Sequence, residues 1–253
     1  TAYEIGVRLV GSEMCIRDRD YAIDFGAIGD AKIVLRQMIE EVKRKSSEQG
    51  RGDVHGVVGE IACIRAEFMD EWRPRLHSDE VPISPYRVFT ELAAAVDVSN
   101  TIITHDSGYP RDQLAPFWQT VAPRGYIGWG KSTQLGYGLG LALGAKLAAP
   151  EKHVINVMGD AAFGMAGMDV ETAFRAEIPI LTVILNNGVM THYDHHMPYA
   201  SEHWGSNALG GHYARVAEGL GASAQRVEAI EDLGPAIRRG LAANREGLPA
   251  LLE

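Results

Sequence analysis

The stretch "HVINVMGDAAFGM" (residues 153–165) decides the fold. A mostly apolar run ends in Gly159–Asp160, and two alanines lead into a helix-like segment. A short apolar run bounded by a turn reads as a fully buried strand. A lone carboxylate at its carboxyl end is either a helix N-cap or part of a ligand site. The question repeats in "PILTVILNNG" (residues 179–188), where Asn186 and Asn187 close the next apolar run. Two such strand ends, with one helical segment between them, are harder to dismiss than either alone.

Outward from this pair the chain alternates. "NTIITHDSG" (100–108) is a β-branched strand ending in a polar turn, and "STQLGYGLGLALGAKLAAP" (132–150) is a Gly/Ala helix. Beyond Asp160 come a helix "GMDVETAFRAE" (167–177), the Asn-Asn strand and a helix "HYARVAEGLGA" (212–222). A strand "AQRVEA" (224–229), a helix "IEDLGPAIRRGLAANREG" (230–247) and a strand "PALLE" (249–253) complete the run. Alternating elements with continuously apolar central strands predict an α/β fold, a parallel sheet with helices on both faces. Ligands in such sheets bind beyond the carboxyl ends of the strands. The turns "HDSG" (105–108), "GDAA" (159–162) and "NNGV" (186–189) are therefore expected to converge. A helix starting near Gly164 would point its positive end at the same place.

Upstream the pattern differs. "GDAKIVLRQMIEEVKRK" (29–45) carries apolar residues at helical spacing and ends in basic residues. A polar linker and a second amphipathic helix, "HGVVGEIACIRAEFMDEW" (55–72), follow, then "RPRLHSDEVPISP" (73–85) with three prolines. The expected organisation is a remnant of one domain at 20–50, a helix and linker at 51–84, and the ligand-binding domain at 85–253, cut in mid-strand. "VGSEMCIRDR" (10–19) resembles a translated sequencing-adapter tail, so residues 1–19 are set apart as non-native.

The 253 residues, 46% hydrophobic and 23% charged, suffice for one large core or two modest ones. A net charge of −9 without a basic run argues against nucleic acid and anionic membrane as partners. Cys15 and Cys63 have no metal-ligand spacing, and the longest apolar run, 135–145, is too short to span a bilayer. The cytoplasm is the expected setting.

Asp160 with Asn187 offers oxygen ligands without sulfur or imidazole, which suits a hard cation such as Mg²⁺. Mg²⁺ held by few protein ligands implies a phosphorylated partner. "GDAAFGM…IPILTVILNN" resembles the Gly-Asp-Gly…Asn-Asn signature of thiamin diphosphate-dependent enzymes. "GWGKSTQLGYGLGLALGAKLAAP" (128–150) is similar to the segment ahead of that signature in acetolactate synthase large subunits. The resemblance covers residues 85–253, and 20–84 more weakly.

The resemblance implies a thiamin diphosphate-binding fold with Mg²⁺ held by Asp160, Asn187 and the carbonyl of Val189. It implies diphosphate contacts from Gly159, Ala161, Ala162, Ser107, Gly108 and Tyr109. Leu135 corresponds to the apolar wedge that bends the cofactor, and Thr133 and Leu135 to its aminopyrimidine contacts. A 2-keto acid would lose carbon dioxide, and the remaining fragment would join a second carbonyl or be protonated. A homodimer or homotetramer is implied, with an activating Glu from another domain. FAD binding stays open. Ala161 and Ala162 replace the signature's third Gly and a common Ser, and His196 stands near the family's Trp. These departures leave room for other 2-keto acid decarboxylases, a sulfoacetaldehyde acetyltransferase-like enzyme or a non-catalytic relative.

Gly136, Gly140 and Gly144 recur every four residues, which predicts close helix packing rather than a dinucleotide loop. The histidines of the loop His192–His203 are a transition-metal site, proton donors or solvated side chains. His105, His192 and His195 are the proton-transfer candidates. Trp129 and Lys131 flank the cofactor segment.

Overall fold

The computed structural model describes residues 26–46, 54–128 and 134–253. The adapter-like segment 1–19 lies outside the described residues, as do Trp129, Lys131 and Thr133. The chain forms two compact units, Thr1–Phe68 and Met69–Glu253. In the first, helix α1 (Ala31–Lys45) begins where the Asp30 carboxylate accepts the Ile33 N–H at 3.0 Å. It ends in Lys43, Arg44 and Lys45, whose charges suit the helix's negative pole. None of its residues is buried. Helix α2 (Val54–Leu76) contains the boundary.

The second unit starts ahead of Pro85, where the sequence sets the domain's beginning. The reason is aromatic packing: Trp72 sits against Tyr86 and Phe117, with ring centroids 4.9 and 5.2 Å away. Helix α3 (Pro85–Ala95) then lays Val88, Phe89 and Leu92 into the core.

Six strands form one parallel sheet: β1 (Thr101–His105), β2 (Tyr126–Ile127), β3 (His153–Gly159), β4 (Leu181–Leu185), β5 (Ser223–Gln225) and β6 (Ala250–Leu252). Their order is β2-β1-β3-β4-β6-β5. Side chains alternate between faces along each strand. Ile102, Val154, Met158, Ile184 and Leu251 pack on one face with helices α5 (Tyr137–Ala148), α6 (Asp160–Ala166), α7 (Asp169–Arg175) and α10 (Tyr213–Gly219). Ile103, Ile155, Val157, Leu181, Val183 and Leu252 pack on the other with α3, α4 (Tyr109–Leu114) and α11 (Ile230–Arg245). Because both faces are covered, the central strands are buried and mostly apolar, with buried polar exceptions such as Thr104, Asn156 and Thr182, and the expected fold class is the observed one.

From β1 the chain steps to β2 on one side, then crosses back to β3 on the other. The carboxyl ends of β1 and β3 thus flank the crevice where open parallel sheets bind ligands.

Three sequence expectations are corrected. Helix α6 starts at Asp160 itself, not near Gly164, and Gly159 takes the N-cap position. Helix α5 starts at Tyr137, not Ser132, because Gly136 before it adopts φ +88°. The glycine that needs close approach is Gly138, not Gly140 or Gly144. A Cβ on Gly138 would lie 2.8 Å from Asn156 Oδ1, whereas one on Gly140 or Gly144 meets nothing within 4 Å. The short elements β2, α4, α8 (Tyr193–His196) and α9 (Pro198–Trp204) span too few residues for a periodic signal. No helix among the described residues is long and apolar enough to cross a membrane.

Ile155 is fully buried at the sheet's centre, between β1 and β4. Replacing it by Ala is expected to lower the unfolding free energy by about 2–5 kcal/mol. A shifted denaturant midpoint at unchanged slope would register this loss.

Candidate functional site

The register of the sheet brings the three polar turns together. His105 at the end of β1 pairs with Val157, and Gly159 at the end of β3 pairs with Leu185 at the end of β4. Across the middle strand, the Tyr109 ring meets His192 edge-on, with centroids 5.6 Å apart. The turn after β1 and the loop after β4 therefore touch, with Asp160 between them in the strand order.

Asp160 is 2% exposed. Its Oδ1 accepts the N–H of Ala161 and its Oδ2 the N–H of Gly188, both at 2.8 Å. A plain N-cap would not do this. The carboxylate reaches across to the next strand's turn and holds it. Gly188 makes the approach possible at φ +71°. Burial is the main cause that pushes the Asp160 carboxyl above the ordinary carboxylate value, with Glu253 adding like charge; the two backbone N–H groups oppose the shift. A buried carboxylate whose hydrogen-bond partners are neutral amides fits a hard cation, which would offset its desolvation. Space for a ligand is present too: a Cβ on Gly159 would meet nothing within 4 Å.

Asn186 and Asn187 have different surroundings. Asn186 Nδ2 donates to Glu253 Oε1 at 2.8 Å, and Asn186 Oδ1 accepts the Gly188 N–H at 3.1 Å. Asn187 is exposed; its Oδ1 accepts the Val189 N–H at 3.2 Å, and its Nδ2 lies 3.4 Å from Thr191 Oγ1. Both are exposed; the first shapes the turn through the Gly188 N–H, and the second turns its amide oxygen to the Val189 N–H.

Of the remaining candidates, Ser107, Gly108 and Tyr109 lie just past β1, with Gly108 at φ +83° and open space where a Cβ would stand. Ala161 is half-buried, and Ala162 is fully buried in the core, where a methyl is at home. Leu135 is half-buried against the same core cluster. Val189 forms an isolated bridge with Ala208.

The histidines separate sharply. His105 is 5% exposed; its Nδ1 lies 3.2 Å from the Asp106 carbonyl, and a Cβ on Gly128 would stand 2.5 Å from its Nε2. Burial holds its pKa below the ordinary histidine value. His192, at φ +66°, and His195 are exposed. No cluster of three His, Cys, Asp or Glu side chains among the described residues is set to hold a metal. The loop histidines are thus not gathered into such a group.

Two site-shaping residues escaped the sequence reading. Glu253, its side chain 1% exposed, also accepts the Ala214 N–H at 2.8 Å and lies 3.7 Å from Arg226. It thereby ties Asn186 to helix α10. Asp106 is the other; its carboxylate accepts backbone N–H groups from Gly136 and Gly138 at 3.0 and 2.9 Å. The available signal was the polar residues Thr104, Asp106 and Asn156 in or beside apolar strands, each of which must find a partner when buried.

Comparison with known proteins agrees with this geometry. Residues 106–253 match the family model for the C-terminal TPP-binding domain of thiamine pyrophosphate enzymes. An acetolactate synthase large subunit of Mycobacterium tuberculosis is 31% identical over 205 residues, covering 80% of this chain and 37% of that protein. The large subunit of acetolactate synthase isozyme 3 of Escherichia coli is 31% identical over 170 residues, covering 65% of this chain and 28% of that one. Among solved structures, the thiamine diphosphate-dependent 4-hydroxybenzoylformate decarboxylase of Rhodococcus jostii RHA1 is similar, at TM-score 0.58 and 27% identity. That likeness covers 66% of this chain and 31% of the decarboxylase. The chain thus spans less than two-fifths of the length of these relatives. With its signature carboxylate buried at the strand-end crevice, the chain belongs to the thiamine pyrophosphate enzyme family, in its acetolactate synthase-like branch.

Proposed function

We propose that this protein is the cofactor-binding part of a thiamin diphosphate- and Mg²⁺-dependent enzyme that acts on 2-keto acids, as a carboligase or decarboxylase of the acetolactate synthase type. The observation that carries the proposal is the Asp160 carboxylate, buried and joined to the Asn186–Val189 turn through Gly188. Thiamin diphosphate, when bound, supplies the electron sink that lets a 2-keto acid lose carbon dioxide. The protein's own part is to bind, orient and move protons.

In this reading Asp160, the Asn187 side chain and the Val189 carbonyl hold Mg²⁺. Gly159, Ala161 and Ala162 line the diphosphate on one side; Ser107, Gly108 and Tyr109 line it on the other. Leu135 and Thr133 take the aminopyrimidine end. His192 is the preferred proton donor of the three candidates, because it is exposed and sits against Tyr109. His195 stands in the same loop as a second donor. His105 is the weakest of the three: its ring nitrogens face the Asp106 carbonyl and Gly128. Its part is to support the turn. The proposed working form is a homodimer or homotetramer of the full-length chain, with a second domain contributing the activating carboxylate.

Two outcomes are expected. In the full-length protein, Asp160→Ala abolishes Mg²⁺-dependent binding of thiamin diphosphate, a loss of more than about 100-fold by calorimetry. A wild-type protein that shows no such binding would sink the proposal. His105 is expected to titrate below the ordinary 6.5 in a ring-proton NMR titration. Its folded pKa is depressed, so it contributes stability that is present above pH 6.5 and lost as pH falls through the folded value. His105→Gln should remove that share of the acid sensitivity.

A further inference from the structure

Asp106 follows β1 directly and is fully buried. Its Oδ1 accepts the N–H groups of Ser107 at 2.7 Å and Gly136 at 3.0 Å; its Oδ2 accepts that of Gly138 at 2.9 Å. Two of these donors belong to the start of α5, thirty residues further along the chain. Gly136, which caps that helix, has no side chain with which to satisfy its first N–H groups. Asp106 does so from a different element, and the positive end of the twelve-residue helix favours its charge.

The seat beneath is closed. The Thr104 hydroxyl lies 3.2 Å from the Gly138 carbonyl and 3.1 Å from Asn156 Oδ1. A Cβ on Gly138 would come within 3.0 Å of Asn156 Oδ1, the His105 carbonyl and Asp106 Oδ2. The start of α5 is thus pressed onto the ends of β1 and β3 with no room for a side chain, and Asp106 is the charge that fastens it. Leu135 is the residue next to Gly136.

We infer that Asp106 is a positioning residue that fixes the Leu135–Gly138 turn, and so presets the surface that receives the aminopyrimidine end of the cofactor. The inference rests on the cofactor reading above, but it concerns a different end of the ligand from the Asp160 clamp. An Asn at 106 keeps the shape and loses half the function. One amide oxygen can still accept, while the NH₂ faces a backbone N–H and leaves it unsatisfied.

The experiment uses the full-length protein and two probes with Mg²⁺, inorganic pyrophosphate and thiamin diphosphate, each titrated by calorimetry. With its amide oxygen in the Oδ1 place, Asp106→Asn still accepts the Ser107 and Gly136 N–H groups and loses only the acceptor for Gly138, so it is expected to keep pyrophosphate affinity within about twofold and to weaken thiamin diphosphate about tenfold or more. Equal losses for both probes, or no loss for either, would overturn the inference. Hydrogen exchange on the cofactor-free wild type gives a readout that needs no variant. The Gly136 and Gly138 amides should be protected like those of a helix interior. Exchange at the rate of an open loop overturns the inference even where thiamin diphosphate binds. Protected amides in a wild-type protein that binds neither probe would instead fault the cofactor reading.

Discussion

In a sheet covered on both faces, a charge placed just past a strand is cut off from water unless the next turn comes to meet it. The contact between Asp160 Oδ2 and the Gly188 N–H is that meeting. It fixes the end of β3 against the turn after β4 and sets the spacing between the signature aspartate and its asparagine partner. Asp106 repeats the solution one strand over, reaching the start of α5. Glu253 repeats it again at the end of β6, holding Asn186. Three carboxylates, each just beyond a parallel strand, organise the carboxyl end of the sheet. Asp160 and Asp106 are met by backbone N–H groups, and Glu253 by the Ala214 N–H, the Asn186 amide and Arg226.

This arrangement accommodates alanines at 161 and 162. The helix that carries them is held by Asp160 at its first residue and by Phe163 in the core. A methyl at 162 enlarges an apolar contact that is already complete. Ala161 donates its backbone N–H to Asp160, which any residue but proline could do. The departure from the family signature therefore falls on side chains, while the backbone the signature needs is kept.

Much of this was legible in the sequence. The order of strands and helices from Pro85 onward follows from apolar runs broken by polar turns, and the pairing of Asp160 with the Asn-Asn turn follows from their matching places at strand ends. Three kinds of feature were not legible. The shortest elements, such as β2 with two residues and α8 with four, carry no measurable period. The spacing of Gly136, Gly140 and Gly144 is blind to what lies opposite: a Cβ on Gly136 would meet Ala166 Cβ at 3.0 Å, one on Gly140 or Gly144 would meet nothing within 4 Å, and the tightest seat falls on Gly138. Long-range polar contacts, such as Asp106 with Gly138, depend on crossovers that no local pattern encodes. His105 shows the same limit: its place at a strand end suggested chemistry, but the approach of Gly128 encloses it.

The segment between Val189 and Ala208 has a further consequence. Its two ends are stitched by an antiparallel bridge, by Met190 N–H to the Asn207 carbonyl at 2.7 Å, and by Leu209 N–H to the Gly188 carbonyl at 2.8 Å. Its short helices α8 and α9 hang from that base. With the ends already tied, lengthening or shortening the excursion costs little closure entropy and leaves Asp160 undisturbed. The tie thus separates the turn whose Gly188 N–H meets Asp160 from the excursion that carries His192 and His195.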